Sequence, residues 1–335
     1  MKYSKFKSGL LFLLCSWMSL GLVSCGDHGD NQRMSSLQEW MRPNGKCKVL
    51  STTAMVGDVV ARVGGDAIDH ISLIMGEIDP HSYELVKGDD EKLSLADLLF
   101  YNGLGLEHGA SLRYRIEKHP HAVALGDSIK DLHPEKILYR EGRVDPHIWM
   151  DMELWSVAID AIVQALARAV PGEEEAFRGR GELLKEEILS THREIQEKMR
   201  SIPAAKRFLV TSHDAFHYFT RAYLADKEEL EKEEWKERCH APEGLAPDGQ
   251  ISPADIQSIV HHLLSYRIES VFAESNVSPD TLRKIIEACG KKSLHVRMAK
   301  EPLYGDAMGS SSSYRAMMTK NAEVLAITWL EEDKK

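Results

Sequence analysis

Glu173-Glu-Glu-Ala-Phe-Arg-Gly-Arg-Gly-Glu-Leu-Leu-Lys-Glu-Glu-Ile-Leu-Ser-Thr-His-Arg-Glu-Ile-Gln-Glu-Lys-Met-Arg-Ser-Ile202 is opened by Pro171-Gly172 and closed by Pro203. Apolar residues recur at Phe177, Leu184, Ile188, Ile195, Met199 and Ile202, which is helical spacing. The acids at the start suit the positive end of a helix dipole. Gly179 and Gly181 weigh against a helix, because each costs about 1 kcal/mol relative to Ala in a helix interior. About 27 residues at 1.5 Å apiece make a rod on the order of 40 Å, enough to span a small domain. Segment 171–203 therefore reads as a connecting helix.

On either side of it the same alternation appears. Before it, Lys48–Thr53, His70–Met75, Leu98–Asn102 and Ala122–Leu125 read as strands, and Val56–Val63, Asp89–Asp97 and Gly105–Lys118 as helices. After it, Arg207–Thr211, Glu269–Ala273 and Leu294–Met298 read as strands. Ala215–Tyr223, Ser252–Tyr266, Pro279–Cys289 and Tyr314–Glu331 read as helices, and the densely charged 226–238 as a solvated excursion. Short apolar strands separated by helices argue for parallel βαβ units. The expected fold class is α/β: an N-terminal lobe, 47–170, and a C-terminal lobe, 204–335, joined by the long helix. Ligands in such folds sit beyond the carboxyl ends of the strands, so the interlobe cleft is the expected site.

Length and composition fit this organisation. A chain of 335 residues, with 43% hydrophobic and 28% charged residues, is long enough for two ordinary globular domains. A net charge of −10 argues against general nucleic-acid binding, which needs a basic face for phosphates, and tolerates cations well. Residues 1–24 begin with Lys2, Lys5 and Lys7 and continue as an apolar stretch too short for a comfortable transmembrane span, which fits a signal peptide. Leu22-Val-Ser-Cys25 resembles a bacterial lipobox, which would make Cys25 a lipid-modified first residue; an ordinary signal peptide cleaved nearby is the other reading. Removing 1–24 takes away three Lys and no acids, leaving 39 basic against 52 acidic residues, a net −13. Residues 25–46 then form a tether, with 26–38 rich in Gly, Asp, Asn and Ser. Cys47, Cys239 and Cys289 remain; an oxidising compartment permits one bridge, and Cys239–Cys289, both in the second half, is the expected pair, with free buried thiols as the alternative.

Among the 15 histidines, three stand in related settings. Asp79-Pro-His81 and Asp145-Pro-His147 repeat one tripeptide, in which Pro restricts the backbone and can present the imidazole in one direction. His213, in Thr211-Ser-His-Asp-Ala-Phe216, ends a strand, and Asp306, in Gly305-Asp-Ala-Met-Gly309, follows another. Each half contributes two. Three imidazoles and a carboxylate suit a divalent transition metal such as Zn²⁺, Mn²⁺ or Fe²⁺ better than Ca²⁺ or Mg²⁺, which prefer oxygen shells.

With these motifs in this order, the chain resembles the cluster A-I solute-binding proteins, the zinc-, manganese- and iron-binding receptors of bacterial ABC importers. The resemblance covers nearly all of the chain after the signal and includes the lipobox, both Asp-Pro-His motifs, the connecting helix, Thr-Ser-His-Asp-Ala-Phe and Gly-Asp-Ala-Met-Gly. It implies two pseudo-symmetric lobes, a rigid interlobe helix, modest closure on binding, and His81, His147, His213 and Asp306 as the ligands of one transported ion. Manganese receptors of the family often carry Glu where this chain has His213, and zinc-specific members often carry a long His- and acid-rich loop. Here 103–143 holds only His108, His119, His121 and His133, scattered. Within the family the chain looks closest to the chlamydial receptors associated with iron and manganese, which ranks those metals ahead of zinc. The implied partners are an ABC permease and its separate ATPase. This chain lacks the Gly-x-x-x-x-Gly-Lys-Ser/Thr loop for ATP. A monomer outside the inner membrane, held by lipid alone, is expected.

Further residues are candidates for supporting roles. Glu84 and Asp151 follow the ligand motifs and are expected either to accept the second ring N–H of a ligating His or to act as local caps. Glu274 ends a second-lobe strand and is expected to approach the cleft. His217 falls one turn after His213 and reads as packing, and His261-His262 as surface. Two other functions compete with a receptor. A zinc hydrolase needs an open metal position and a general base; His-Glu-x-x-His is absent and Glu274 is the one candidate base. A surface adhesin has only the lipid anchor in its favour.

Overall fold

The structure is a computed structural model that describes residues 38–247 and 251–331. The signal segment 1–24, Cys25 and the tether up to residue 37 lie outside the described residues. Contacts divide the chain into two compact units, Met1–Arg42 and Pro43–Lys335. The described part of the first is a helical turn, with Arg42 N–H donating to the Glu39 carbonyl at 3.1 Å. All that follows concerns the second. No helix among the described residues is long and apolar enough to cross a membrane.

Four parallel strands build the first lobe: β1 (Cys47–Ser51), β2 (Ile68–Ser72), β3 (Leu98–Tyr101) and β4 (Ala122–Ala124), in the spatial order β2-β1-β3-β4. The helices α1 (Ala54–Gly64), α2 (Asp89–Leu95), α3 (Ala110–Lys118) and α4 (Leu125–Leu132) connect and flank them. Successive strand residues point to opposite faces. Accordingly Val49, Leu98 and Phe100 enter the main apolar cluster, whereas Leu50 and Leu99 join a second cluster with Leu73, Leu93 and Leu112. A sheet covered on both faces explains why these strands read as continuous apolar runs.

A small antiparallel hairpin, β5 (Tyr139–Arg140) and β6 (Arg143–Val144), leads to α5 (Met152–Ala169), and α6 (Glu174–Arg200) follows. α6 is the 27-residue helix expected from the spacing. It buries Phe177, Leu184, Ile188, Ile195 and Met199 and lies against α1 and α5 on one side and the second lobe on the other. Gly181, which counted against the helix, has a packing reason. A Cβ there would sit 2.7 Å from Cγ2 of Val163, so the bare backbone lets α5 approach. Arg180 beside it donates to the carbonyls of Val63 and Gly64 at 2.7 and 2.9 Å, capping α1.

The second lobe repeats the first lobe's order. Strand β7 (Leu209–Val210) pairs with β8 (Cys239–His240), and β9 (Ser270–Val271) with β10 (Arg297–Met298), each parallel. A backbone hydrogen bond from Phe272 N–H to the Val210 carbonyl, 2.8 Å, joins the pairs into the sequence β8-β7-β9-β10. Between β7 and β8 lie a helical turn, His217–Phe219, its π-helical continuation Thr220–Leu224, and α7 (Lys227–Lys232). α8 (Pro253–Tyr266), α9 (Asp280–Lys291) and α10 (Tyr314–Glu331) complete the lobe. The main apolar cluster runs through both lobes, from Val49 to Trp329.

The structure departs from the sequence expectations at two places. The charged stretch 226–238 is folded rather than merely solvated. Asp226 and Glu229 form a capping box on α7. Buried Arg238 binds Glu229 through two nitrogens at 2.6 and 2.7 Å and the Ala204 carbonyl at 2.8 Å. Cys239 and Cys289 are not bridged: both are free thiols, as is Cys47. Cys239 faces the cluster that holds Leu209 and Phe272. Cys289 of α9 faces the one that holds Val210 and Val271, on the other side of the sheet.

Candidate metal centre

Four loops at the carboxyl ends of strands converge. His81 lies on the loop after β2, and His147 between β6 and a short turn, Ile148–Met150. The repeated tripeptide folds the same way twice: Asp79 Oδ1 accepts the His81 N–H at 2.8 Å, and Asp145 Oδ1 the His147 N–H at 3.0 Å. An Asp that hydrogen-bonds the backbone two residues on, with Pro between, fixes where the imidazole starts. His213 follows β7 and forms a parallel bridge to Glu243 beyond β8. Asp306 follows β10 on a loop clamped by Asn321 of α10, whose amide accepts from Tyr304 N–H and donates to the Tyr304 carbonyl, both at 2.8 Å.

One donor atom from each of His81, His147, His213 and Asp306 lies within 4.8 Å of the others, and all four residues are buried. The Nε2 atoms of His81 and His147 are 3.2 Å apart. Asp306 Oδ2 lies 3.0 Å from His213 Nε2 and 3.5 Å from His81 Nε2, and its Oδ1 lies 3.4 Å from His147 Nε2. Two ligand atoms held 2.0–2.1 Å from one ion at tetrahedral angles stand about 3.4 Å apart, so these spacings fit donors around a single cation. Both Asp306 oxygens and His213 Nε2 are buried without a hydrogen-bond partner among the described residues. Buried polar atoms left so are costly unless something else, such as a cation, satisfies them.

Residues 49–327 match the family "ZnuA: Zinc-uptake complex component A periplasmic". The chain belongs to this family. "Metal-binding protein YtgA" of Chlamydia trachomatis serovar D is 40% identical over 302 residues, covering 90% of each chain. "Manganese-binding lipoprotein MntA" of Bacillus subtilis is 30% identical over 326 residues, 95% of this chain and 96% of that one. Among solved structures, that of Fe(III)-bound YtgA from Chlamydia trachomatis has a TM-score of 0.81 at 39% identity, covering 85% of this chain and 98% of that one.

In this member of the zinc-uptake component A family, two acids orient two of the rings. Asp145 Oδ1 lies 2.7 Å from His147 Nδ1. Burial pushes the Asp145 carboxyl up, but its bond and proximity to His147 outweigh that and hold it below the usual carboxylate range. The ionised acid accepts a hydrogen bond from Nδ1–H, which leaves the Nε2 lone pair facing the centre. Glu274 stands against His213: its Oε2 is 2.8 Å from Nδ1, an ion-pair contact, and its Oε1 accepts the N–H groups of Ser212 and His213 at 3.1 and 2.9 Å. Burial lowers His213, yet the carboxylates of Glu274 and Asp306 raise it well above its ordinary value. For His81 burial prevails over Asp306, and the ring stays neutral at pH 7. Burial opposes charge on Asp306, but His213 and His81 hold its carboxyl well below the usual range. Gly305 makes room for this: a Cβ there would lie 2.3 Å from Glu274 Oε2. Trp149 stands edge-on to His147 and donates to the Gly305 carbonyl at 3.1 Å, tying the lobes beside the centre.

Glu84 and Asp151 do not belong to the centre. Glu84 is exposed and caps α3, accepting from Ala110 N–H at 2.7 Å and Ser111 N–H at 2.9 Å. Asp151 caps α5 through Glu153 and Leu154 and faces Arg221. The acid that reaches a ring is the one before the histidine, Asp145, within the repeated tripeptide; that repetition was the available signal. His217 is buried with Nδ1 3.8 Å from Asp145 Oδ2, outside the four. His262, expected at the surface, is buried at 6% exposure, while His261 is exposed.

Proposed function

We propose that this chain is an extracytoplasmic receptor that captures one transition-metal ion at His81, His147, His213 and Asp306 and delivers it to an ABC permease. The observation that carries this is the convergence of three Nε2 atoms and one carboxylate at buried positions, each half of the chain supplying two. A site shared between lobes couples occupancy to their geometry. The apolar cluster and long helix common to both lobes make a large hinge motion costly, so closure is modest.

Iron or manganese is ranked ahead of zinc. Asp306 turns both oxygens toward the histidines, which offers five donor atoms where structural zinc sites use four. The relatives named for Fe(III) and for manganese support the same ranking, and the family description keeps zinc in play. The hydrolase reading loses support from Glu274. Its carboxylate is engaged with His213 and two backbone N–H groups, so it is not available as a base. The chain acts as a monomer, with an ATPase subunit driving the permease. A signal peptide exports it and lipid on Cys25 anchors it, in keeping with the lipoprotein named among its relatives. The lobes are 47–170 and 204–335, with 171–203 connecting them.

Anaerobic metal analysis of the chain purified from its native envelope, beside His81→Ala and His147→Ala, tests the reading. About one iron or manganese per chain, lost in both variants, is expected of such a site. Stoichiometric zinc alone moves the protein to zinc uptake, and no metal in any form overturns the proposal.

A further inference from the structure

On the outer edge of the second lobe, three side chains that take no part in the centre meet. His240 is on β8, which pairs with β7 alone among the described residues. Glu237 comes from the 3-10 turn Glu234–Arg238 just before it, and His262 from α8. One donor atom from each lies within 4.8 Å of the other two. His240 Nε2 is 3.7 Å from Glu237 Oε2, and the two imidazole rings are 4.0 Å apart, centre to centre. Nε2 of His240 and Nε2 of His262 are both buried atoms without a hydrogen-bond partner among the described residues, and His262 as a whole is only 6% exposed.

We infer that Glu237, His240 and His262 form a second metal site, which takes a late first-row divalent cation such as Zn²⁺. Two imidazoles and one carboxylate are a zinc-type ligand set, with an open position left for water. Donors around a tetrahedral ion stand about 3.4 Å apart, so the widest gap here closes by about 1.4 Å or less on binding. One ligand fewer than at the first centre, and an exposed carboxylate at Glu237, make this the weaker of the two. Its placement links it to the first centre. His240 pairs with Val210, and three residues further along the same two strands His213 bridges Glu243, on the order of 10 Å of strand rise away. An ion at Glu237, His240 and His262 braces the strand that supports His213.

The test is a calorimetric titration of the metal-stripped chain with Zn²⁺ alone, beside His240→Ala, Glu237→Gln and His147→Ala. The wild type should take up zinc in a tight and a weak step. His240→Ala and Glu237→Gln should each weaken the second step by about tenfold or more and leave the first unchanged. His147→Ala should do the reverse. Unchanged metal-free melting of Glu237→Gln, an exposed position, guards against misfolding as the cause. A single step in the wild type, or a weak step that survives both His240→Ala and Glu237→Gln, overturns the second site. Loss of neither step in His147→Ala counts against the first centre instead.

Discussion

Replacing Asp145 by Asn isolates one contribution to the centre. The change is nearly isosteric and leaves an oxygen for the His147 N–H. It removes the charge that accepts the His147 Nδ1 proton across 2.7 Å. Both His147 contacts fall on Oδ1, so an amide that turns its NH₂ there moves the ring proton to Nε2, the atom that faces the centre, and takes the acceptor from the backbone N–H. Acids that orient metal-binding histidines are worth about 10–100-fold in affinity. Asp145 is fully buried, so the upper end applies, about 2.7 kcal/mol. At free metal a thousandfold above Kd, binding adds about 4.1 kcal/mol of stability, and a hundredfold weaker site retains about 1.4. For a unit of this size the metal-induced rise in Tm should shrink by about 5 °C. The assay is differential scanning calorimetry with and without Mn²⁺, with Kd from competition against a chelator. Glu84→Gln, which alters an acid that follows the other Asp-Pro-His motif but only caps α3, is the control and should bind as wild type. An Asp145→Asn variant within twofold of wild type, or a Glu84→Gln variant equally impaired, would refute the assignment of Asp145 to His147.

Five further outcomes can be checked directly. Gly305→Ala drives a Cβ toward Glu274 Oε2 and should cost about 1–3 kcal/mol in metal binding, read by the same competition assay, with a smaller change in metal-free Tm. Gly181→Val should destabilise by about 1–3 kcal/mol in urea unfolding, because it wedges α5 from α6. Gly179→Ala, where a Cβ meets nothing, should stabilise by about 0.5–1 kcal/mol. Metal uptake at pH 7 should release about one proton, because the carboxylates beside His213 keep that ring protonated until the ion displaces the proton, whereas His81 is already neutral. Affinity should therefore rise with pH, and calorimetry in buffers of differing ionisation enthalpy counts the proton. Finally, denatured unreduced protein should be alkylated at Cys47, Cys239 and Cys289 alike; a peptide map with Cys239 and Cys289 protected would restore the bridge.

Much of this molecule is encoded locally. Alternation of short apolar runs with helical spacing predicts parallel strands and their connecting helices, because strand and helix periods follow from backbone geometry alone. The long helix could be read from its apolar stripe despite two glycines. The four residues that converge could be singled out because two share a tripeptide and all follow strands, where loops in this fold class meet. What the linear order left open were choices among partners. Asp145 rather than Asp151 serves His147 because the turn at Pro146 folds the acid back under its own ring, while Asp151 is spent on a helix end. Glu274 reaches His213 across 61 residues, through the pairing of strands that only the assembled sheet brings together. Gly181 looked like a helix breaker until α5 lay against it. His262 looked exposed until β8 closed over its face of α8, and Cys239 and Cys289 looked like a pair until the sheet came between them. Periodicity and turn chemistry are properties of neighbours in the chain. The identity of a side chain's partner is a property of the packed interior, and here only the tertiary structure decided it.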